Sequence, residues 1–164
     1  MADRNRFYIT TAIAYPNGAP HIGHAYEAIA SDVIARFHRL LGKDVFFMTG
    51  TDEHGLKMEQ TGRKHGVTAR EMADRMAPMF KAMDDRFAVS YDRFIRTSDA
   101  DHYAASQAIW QAMEAAGDIY LDRYEGWYSV RDEAYYDETE LTTGEDGAKL
   151  SPQGTPVEWT VEES

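Results

Sequence analysis

Two histidines lie three positions apart in the stretch "PHIGH", where His21 and His24 are separated by Ile22 and Gly23. Imidazoles at this spacing can do two kinds of chemistry. They can ligate a metal ion, with Glu27 as a third ligand, or they can donate hydrogen bonds to phosphate oxygens. A structural alternative is that the run is only the turn that starts a helix. The residue types alone leave all three alternatives open.

A second polar stretch, "GTDEHG" at residues 50–55, contains an aspartate and a histidine. The Asp52 carboxylate has the charge needed to bind a cationic group such as an ammonium, and Tyr15 is placed to wall the same pocket. The structural alternative is that Asp52 caps a helix beginning near Leu56, a common use of aspartate. His54 either lines this site or hydrogen-bonds the loop backbone.

The elements that position these loops follow from hydrophobic spacing. Residues 6–15 are β-branched and aromatic, and predict a strand that ends at a turn, residues 16–18. Residues 44–50 form a short continuous apolar run, which predicts a strand buried on both faces of a parallel sheet. Between them, residues 24–41 predict an amphipathic helix. Its apolar stripe consists of Ile29, Val33, Phe37 and Leu40. This strand–helix–strand order predicts an α/β fold.

Further elements complete the α/β part. Thr68 and Glu71 have the spacing of a capping box, which predicts the start of another helix. Pro78 is expected to kink or split that helix. Residues 91–98 are predicted to be extended, and residues 99–117 to be helical.

The character of the sequence changes after Gly117. The following residues are rich in tyrosine and turn formers, and predict antiparallel strands. We therefore predict an α/β unit over residues 1–117 and a β-rich insertion over residues 118–164.

Position favours phosphate over metal for the histidine pair. Ligands of open parallel sheets bind beyond the carboxyl ends of the strands, where residues 15–24 and 50–55 both lie. A helix beginning near Gly23 is expected to offer unpaired N–H groups and a positive dipole end to a phosphate. Because Gly23 has no side chain, a base or sugar is expected to lie against its backbone.

Composition excludes several classes of function. The formal net charge is −11, so the chain alone is expected to bind nucleic acid poorly, because an acidic surface repels the phosphate backbone. It contains no cysteine, which excludes disulfides, thiolate metal sites and a cysteine nucleophile. No signal-peptide run and no membrane-spanning run occurs, which predicts a cytoplasmic protein without a membrane partner.

The motifs also resemble a known family. "AYPNGAPHIGHAYEAIASDVIARFHRLLGKDVFFMTGTDEHG", "DRFIRTSD" and "GDIYLDRYEGWYSVRDEAYYDETEL" resemble the amino-terminal half of the catalytic region of methionyl-tRNA synthetases, which are class I aminoacyl-tRNA synthetases. The resemblance implies the first half of a Rossmann-like, HIGH-type nucleotide-binding fold and the start of a connective-peptide insertion. It implies ATP-dependent adenylation of L-methionine, followed by transfer to tRNA(Met).

The resemblance also implies roles for individual residues. His21 and His24 would be catalytic, stabilising the phosphates of ATP, with ATP expected as its Mg²⁺ complex. The implied ATP-binding residues are Tyr15, Pro16, Asn17, Gly18, His21, Ile22, Gly23 and His24. The implied methionine-binding residues are Ala12, Ile13, Tyr15, Asp52 and His54, with Asp52 holding the ammonium.

Two departures from the family pattern matter. Many members carry a zinc knuckle with paired Cys-x-x-Cys motifs, whose matching places here are residues 129–132, "SVRD", and 151–154, "SPQG". Asp132 is the one good zinc ligand among the four motif positions, so we predict no structural zinc.

The second departure is the absence of a "KMSKS" motif, which belongs to the second half of the family's catalytic domain. The chain is therefore predicted to be inactive alone and to need a missing carboxyl-terminal half of the same protein as its partner. The alternatives are a HIGH-type nucleotidyltransferase, or a non-catalytic split half that binds a complementary chain.

Overall fold

A three-stranded parallel sheet organises the first part of the chain. The computed structural model describes residues 5–144 and 147–163. The strand order is β1-β2-β3, with Phe7 opposite Val45 and Met48 opposite Arg93. The elements are β1 (Arg6–Thr10), α1 (Ile22–Leu40), β2 (Asp44–Thr51), α2 (Leu56–Lys64), α3 (Ala69–Arg86) and β3 (Arg93–Arg96). The predicted α/β class and its strand–helix–strand unit are confirmed.

The first strand is shorter than predicted. Regular pairing ends at Thr10 rather than at residue 15, although the chain continues beside β2. The N–H of Thr11 donates to the Met48 carbonyl at 3.2 Å, and that of Ala14 donates to the Gly50 carbonyl at 3.3 Å. Pro16, which has no N–H, comes soon after and cannot extend the ladder.

The face of α1 that packs against the sheet is not the predicted stripe. Ala25, Ala28 and Ala35 are buried, whereas Val33 is 60% exposed and Phe37 is 56% exposed. The methyl side chains of alanine let the helix approach the sheet closely. The sequence spacing therefore identified a helix correctly, but the orientation inferred from its large apolar residues was wrong.

A polar contact fixes the same face of α1. Asp32 is buried, and its Oδ1 accepts a hydrogen bond from the Ser90 N–H at 2.7 Å. Its Oδ2 accepts one from Arg36 Nε at 2.6 Å. The helix is thereby attached to the segment that leads into β3.

Burial of β2 also differs from the prediction. Phe47 and Thr51 are fully buried, but Phe46 is 44% exposed. The ring of Phe46 stacks on the exposed ring of Tyr8, with their centroids 5.9 Å apart. Burial on both faces therefore holds only for the carboxyl-terminal part of β2, which is the part that leads into the second loop.

The predicted capping box starts α3. The N–H of Glu71 donates to Thr68 Oγ1 at 3.1 Å, and the N–H of Thr68 donates to Glu71 Oε2 at 2.8 Å. The helix continues through Pro78 to Arg86, so of the two effects expected of the proline, a kink or a split, the split does not occur.

Inter-residue contacts divide the chain into two compact units, residues 1–106 and 107–164. The division falls inside α4 (Ala100–Ala116), upstream of the composition change at Gly117. The remaining elements are β4 (Arg123–Ser129), β5 (Ala134–Tyr136), a short 3₁₀ helix (Glu138–Glu140), β6 (Thr142–Thr143), β7 (Lys149–Leu150) and β8 (Glu158–Glu163).

The strands of the second unit are antiparallel, as predicted. They form a sheet of order β5-β4-β8 and a separate β6-β7 pair. Within the residues that the structure describes, no helix has the length and apolar character needed to cross a membrane.

Candidate functional site

The two histidines of "PHIGH" form the capping box of α1. His21 is the N-cap, and its Nδ1 accepts a hydrogen bond from the Gly23 N–H at 3.1 Å. His24 Nδ1 accepts one from the His21 N–H at 3.1 Å. The two rings stack with centroids 3.9 Å apart. The structural alternative is therefore realised, with histidines in the places that Ser or Thr and Glu usually fill.

Capping engages only the Nδ1 atom of each ring and leaves Nε2 available to a ligand. Because each Nδ1 accepts a backbone N–H, the proton of each neutral ring is assigned to Nε2. Burial lowers the pKa of His24, the neighbouring His21 lowers it further, and Glu27 opposes both effects. The pair thus combines two adjacent rings whose Nε2–H groups suit phosphate oxygens as acceptors.

One detail of the predicted phosphate cradle is wrong. The Gly23 N–H donates to the ring of His21, and the His24 N–H lies 3.1 Å from the His21 carbonyl, so neither N–H is unpaired. A Cβ added to Gly23 would meet His21 Cε1 at 2.9 Å. The absent side chain of Gly23 makes room for the His21 ring, and the base or sugar expected against the Gly23 backbone stays a prediction.

Glu27 does not join the histidines as a third metal ligand. Its Oε1 accepts a hydrogen bond from the Ala12 N–H at 2.7 Å. In residues 5–144 and 147–163, no group of three or more His, Cys, Asp or Glu side chains is arranged to hold a metal ion. Glu27 instead fixes the segment that follows β1 to the first turns of α1.

The two strand-end loops meet. The N–H of Asp52 donates to the Ala14 carbonyl at 2.9 Å, and Ala14 forms an isolated parallel bridge with Thr51. Lys57 Nζ lies 5.7 Å from the centroid of the Tyr15 ring. Residues from the ends of both strands therefore share one region, as the topology predicted.

Asp52 does not cap α2. The N-cap of that helix is Gly55, and no side chain caps it. The capping alternative is therefore wrong. The Asp52 carboxylate is partly exposed, and its Oδ1 lies 3.4 Å from Thr97 Oγ1. A partly exposed carboxylate that is not committed to a helix end suits a cationic ligand.

His54 contacts backbone, one of its two predicted roles. Its Nε2 lies 3.1 Å from the Thr97 carbonyl. The ring is exposed on its other side, with its centroid 5.7 Å from that of Tyr103.

The other predicted ligand residues lie in or beside the segment between β1 and α1. Pro16 is fully buried, whereas Ile22 is 83% exposed. Ala12 and Asn17 are exposed, and Ile13 and Gly18 are partly buried.

A buried ion pair beneath Asp52 was missed by the sequence analysis. Glu53 is buried, and its carboxylate accepts hydrogen bonds from Thr51 Oγ1 at 2.7 Å and from Arg96 Nε at 2.6 Å. Ser98 Oγ donates to the same carboxylate. Burial opposes ionisation, but the hydrogen bonds from Arg96, Ser98 and Thr51 hold the pKa of Glu53 below its usual value. The signal in the sequence was a second charged residue, after Asp52, beyond the end of a buried strand.

A small cavity of about 20 Å³ lies between the ends of β1 and β2 and the helices α1 and α3. This volume suffices for one water molecule. Among its lining residues are His24, Thr49 and Asp84. Asp84 is buried, its Oδ1 has no hydrogen-bond partner among the described residues, and burial raises its pKa to about 6.

In the second unit, hydroxyl groups surround Asp132 at the place that matches the zinc-binding cysteines of the family. Its Oδ2 accepts hydrogen bonds from Ser151 Oγ at 2.8 Å and from Thr155 Oγ1 at 2.5 Å. Ser129 Oγ lies 2.8 Å from Thr155 Oγ1. The fourth member of this Asp132 cluster is Thr155, not the Gly154 that motif spacing indicated. One carboxylate and three hydroxyls do not fit the nitrogen and sulfur ligands of a structural zinc.

Comparison with known proteins identifies the family. A family model described as "tRNA synthetases class I (M)" matches residues 7–149. The chain therefore belongs to the class I tRNA synthetases, in the M family, and its sheet is the Rossmann-like sheet of that class.

The relatives described next are named as methionine–tRNA ligases. The chain is 62% identical over 161 residues to a methionine–tRNA ligase of Mesorhizobium japonicum, and 63% identical over 161 residues to that of Brucella suis. Each match covers 98% of this chain and 31% of the relative. The structure of Mycobacterium tuberculosis methionyl-tRNA synthetase in complex with methionyl-adenylate matches with a TM-score of 0.89 and 55% identity, over 98% of this chain and 31% of that one.

The chain thus spans about a third of the length of the curated relatives it matches.

Proposed function

We propose that this chain supplies the first part of a site for ATP-dependent adenylation of L-methionine, the step that precedes transfer of methionine to tRNA(Met). The observation that carries the proposal is the single region formed by the two strand-end loops. It combines two Nε2–H donors, from His21 and His24, with the partly exposed carboxylate of Asp52, one oxygen of which contacts Thr97. The first suit a phosphate and the second suits an ammonium.

In the proposed reaction, a carboxylate oxygen of methionine attacks the α-phosphorus of ATP and pyrophosphate leaves. The substrate is ATP as its magnesium complex. The Nε2–H groups of His21 and His24 hydrogen-bond phosphate oxygens as negative charge develops on them. The rest of the proposed ATP site consists of Tyr15, Pro16, Asn17, Gly18, Ile22 and Gly23.

Methionine is proposed to lie between the loops. Asp52 binds the ammonium of methionine, and this contact directs the methionine carboxylate toward the histidine pair. The other proposed methionine contacts are Ala12, Ile13, Tyr15 and His54. The Mycobacterium tuberculosis relative, described as a complex with methionyl-adenylate, supports the assignment because that ligand joins both substrates.

A partner polypeptide is proposed to cover the apolar surface of the first unit. α1 exposes Val33, Phe37 and Leu40, and the sheet exposes Tyr8 and Phe46. Within the residues that the structure describes, β1 lies at the edge of its sheet, a position from which a strand can pair with another chain. The proposed occupant is a polypeptide equivalent to the remaining two thirds of the relatives. This same surface supports the split-half alternative, in which that polypeptide is a separate chain.

The test is methionine-dependent exchange of pyrophosphate into ATP. A chimera in which this chain replaces the matching residues of the Mesorhizobium japonicum relative is expected to catalyse exchange, and the 164-residue chain alone is expected to be inactive. Exchange at the chimera's rate by the chain alone would refute the need for a partner. Nucleotide transfer by the chain without methionine would favour the HIGH-type nucleotidyltransferase.

We also propose that residues 118–164 are a connective-peptide insertion without structural zinc. The Asp132 cluster supports this because its hydroxyls already satisfy one another and the carboxylate. Elemental analysis of the purified protein is expected to find less than about one zinc in ten chains, and stoichiometric zinc would refute the proposal. A cytoplasmic location is part of the same proposal, and cell fractionation tests it.

A further inference from the structure

We infer that Thr97 is a positioning residue that sets the affinity of this site for methionine by fixing Asp52 and His54. The inference rests on the proposed function. Thr97 directly follows β3 and is buried, with 6% of its surface exposed. It was not among the residues that the motifs indicated.

Thr97 contacts three consecutive residues of the second loop. Its Oγ1 accepts a hydrogen bond from the Glu53 N–H at 2.8 Å and lies 3.4 Å from Asp52 Oδ1. Its carbonyl lies 3.1 Å from His54 Nε2. One buried residue therefore holds the backbone between Asp52 and Glu53 together with the two side chains on either side of Glu53.

The direction of the hydroxyl proton follows from these contacts. Because Thr97 Oγ1 accepts the Glu53 N–H, its own O–H is left to donate, and Asp52 Oδ1 is the carboxylate oxygen in reach. A separation of 3.4 Å is long for this bond, and such contacts often tighten when the substrate binds. Thr97 engages one of the two carboxylate oxygens, so an ammonium can bind the other without displacing it.

The neighbours of Thr97 hold it in place. Arg96 and Ser98 both donate to the Glu53 carboxylate, while Thr97 between them accepts the Glu53 N–H. The segment 96–98 is thus joined to the segment 52–54 by contacts to the Glu53 side chain from Arg96 and Ser98 and by a contact to the Glu53 backbone from Thr97. A shift of Thr97 would break the buried Glu53–Arg96 pair, so the loop presents Asp52 from a rigid base.

The substitution Thr97→Val isolates the hydroxyl. Valine has nearly the same shape and retains the Thr97 carbonyl and its N–H, which donates to the Thr51 carbonyl at 3.1 Å. The lost interactions are those of Oγ1 with the Glu53 N–H and with Asp52. The expected consequence is a misplaced Asp52 carboxylate and weaker methionine binding, with the histidine pair unaffected.

The experiment measures methionine-dependent pyrophosphate exchange in the chimera defined above. Thr97→Val is expected to raise the KM for methionine by about tenfold, while the KM for ATP and kcat change by less than about threefold. Thr97→Ser keeps the hydroxyl and is expected to return the KM for methionine to within about threefold of wild type. Thr155→Val, which removes a buried threonine hydroxyl in the other compact unit, is the matched control and is expected to leave both KM values unchanged.

Each outcome bears on the inference. An unchanged KM for methionine in Thr97→Val, an equal loss in Thr97→Ser, or a parallel rise in the KM for ATP would overturn it. A wild-type chimera without methionine-dependent exchange would overturn the proposed function and this inference together. If Thr97→Val does not fold, Thr97→Ala replaces it, with thermal melting as the measure of folding.

Discussion

Two hydrogen-bonded clusters of this protein hold a carboxylate by different means. In the first unit, Glu53 is paired with the guanidinium of Arg96 and with two hydroxyls. In the second unit, Asp132 is surrounded by the hydroxyls of Ser151, Thr155 and Tyr136. In both clusters the hydrogen bonds outweigh burial and keep the pKa of the carboxyl below its usual value.

The two carboxylates differ in burial, and the two clusters hold different parts of the chain in place. Glu53 lies fully inside the first unit, where an ionised carboxylate needs a counter-charge. Asp132 is only partly buried, and hydroxyl donors suffice for it. The first cluster therefore fixes the loop that contains Asp52, and the second joins two turns of a small β-rich unit.

Removing the counter-charge of Glu53 is expected to have the largest effect. Arg96→Met leaves the Glu53 carboxylate buried without its cation, and should lower the free energy of unfolding by about 3–5 kcal/mol. Urea denaturation of the chimera measures this loss. The double variant Glu53→Gln/Arg96→Met should recover part of it, and a double variant no more stable than Arg96→Met would contradict a charge-based explanation.

Asp84 gives the opposite case, a buried carboxyl without a cation. Its pKa is raised to about 6, mainly by burial and further by Asp85, so the folded state holds a proton that the unfolded state releases from about pH 4 upward. Its contribution to stability is therefore lost between about pH 4 and pH 6. Asp84→Asn should stabilise the protein above pH 6 by up to about 3 kcal/mol, with little effect at pH 4.

Thermal melting at both pH values measures the effect of Asp84→Asn. Asp118→Asn is the control, because Asp118 is exposed and lies in the other compact unit, whereas Asp85 itself contributes to the raised pKa of Asp84. Equal stabilisation at pH 4 and pH 7 would show that the pKa of Asp84 is not the cause.

A smaller loss is expected when the hydroxyl network around Asp132 is opened. Thr155→Val removes contacts to Ser129, Ser151 and Asp132, and should lower the free energy of unfolding by about 1–2 kcal/mol. Thr155→Ser should retain most of the stability. Denaturation with and without EDTA should give the same midpoint, whereas a fall in the midpoint with EDTA would point to a bound metal.

The smallest effect should be the acid response of the Asp132 cluster. Because the hydrogen bond from Thr155 and those from neighbouring hydroxyls lower the pKa of Asp132, its stabilising contribution is present above about pH 4 and is lost as pH falls through the folded-state pKa. Asp132→Asn should make the melting temperature less sensitive to pH below 4. Tryptophan fluorescence of the β-rich unit, which contains Trp127 and Trp159, reports this change. An unaltered acid profile would show that Asp132 makes no linked contribution.

Features that depend on neighbours in sequence were predictable. The capping box joins Thr68 and Glu71, which are three positions apart, and it lies where it was expected. The same holds for the two strand-end loops, whose positions follow from the order of strands and helices. The roles of the predicted site residues stay predictions until ligand binding is measured.

Features that depend on distant residues were not predictable in this way. The packed face of α1 is decided by small alanines and by Asp32, whose partner Ser90 is 58 residues away. Glu53 and Arg96 are 43 residues apart, and Thr97 meets Glu53 across 44 residues. Periodicity locates an element, but size complementarity and long-range hydrogen bonds decide which of its faces is buried.

The histidine capping box also bears on the protons that the proposed nucleotide site carries. A histidine that gains a charge must carry protons on both ring nitrogens, yet here each Nδ1 faces a backbone N–H that needs an acceptor. Protonating Nδ1 of His24 would therefore remove the hydrogen bond from the His21 N–H. Because burial lowers the pKa of His24, we expect ATP to bind at neutral pH without protonating that ring, so the calorimetric binding enthalpy should be the same in HEPES and in Tris buffers. The start of α1 would then keep the His24 ring neutral while a phosphate is bound.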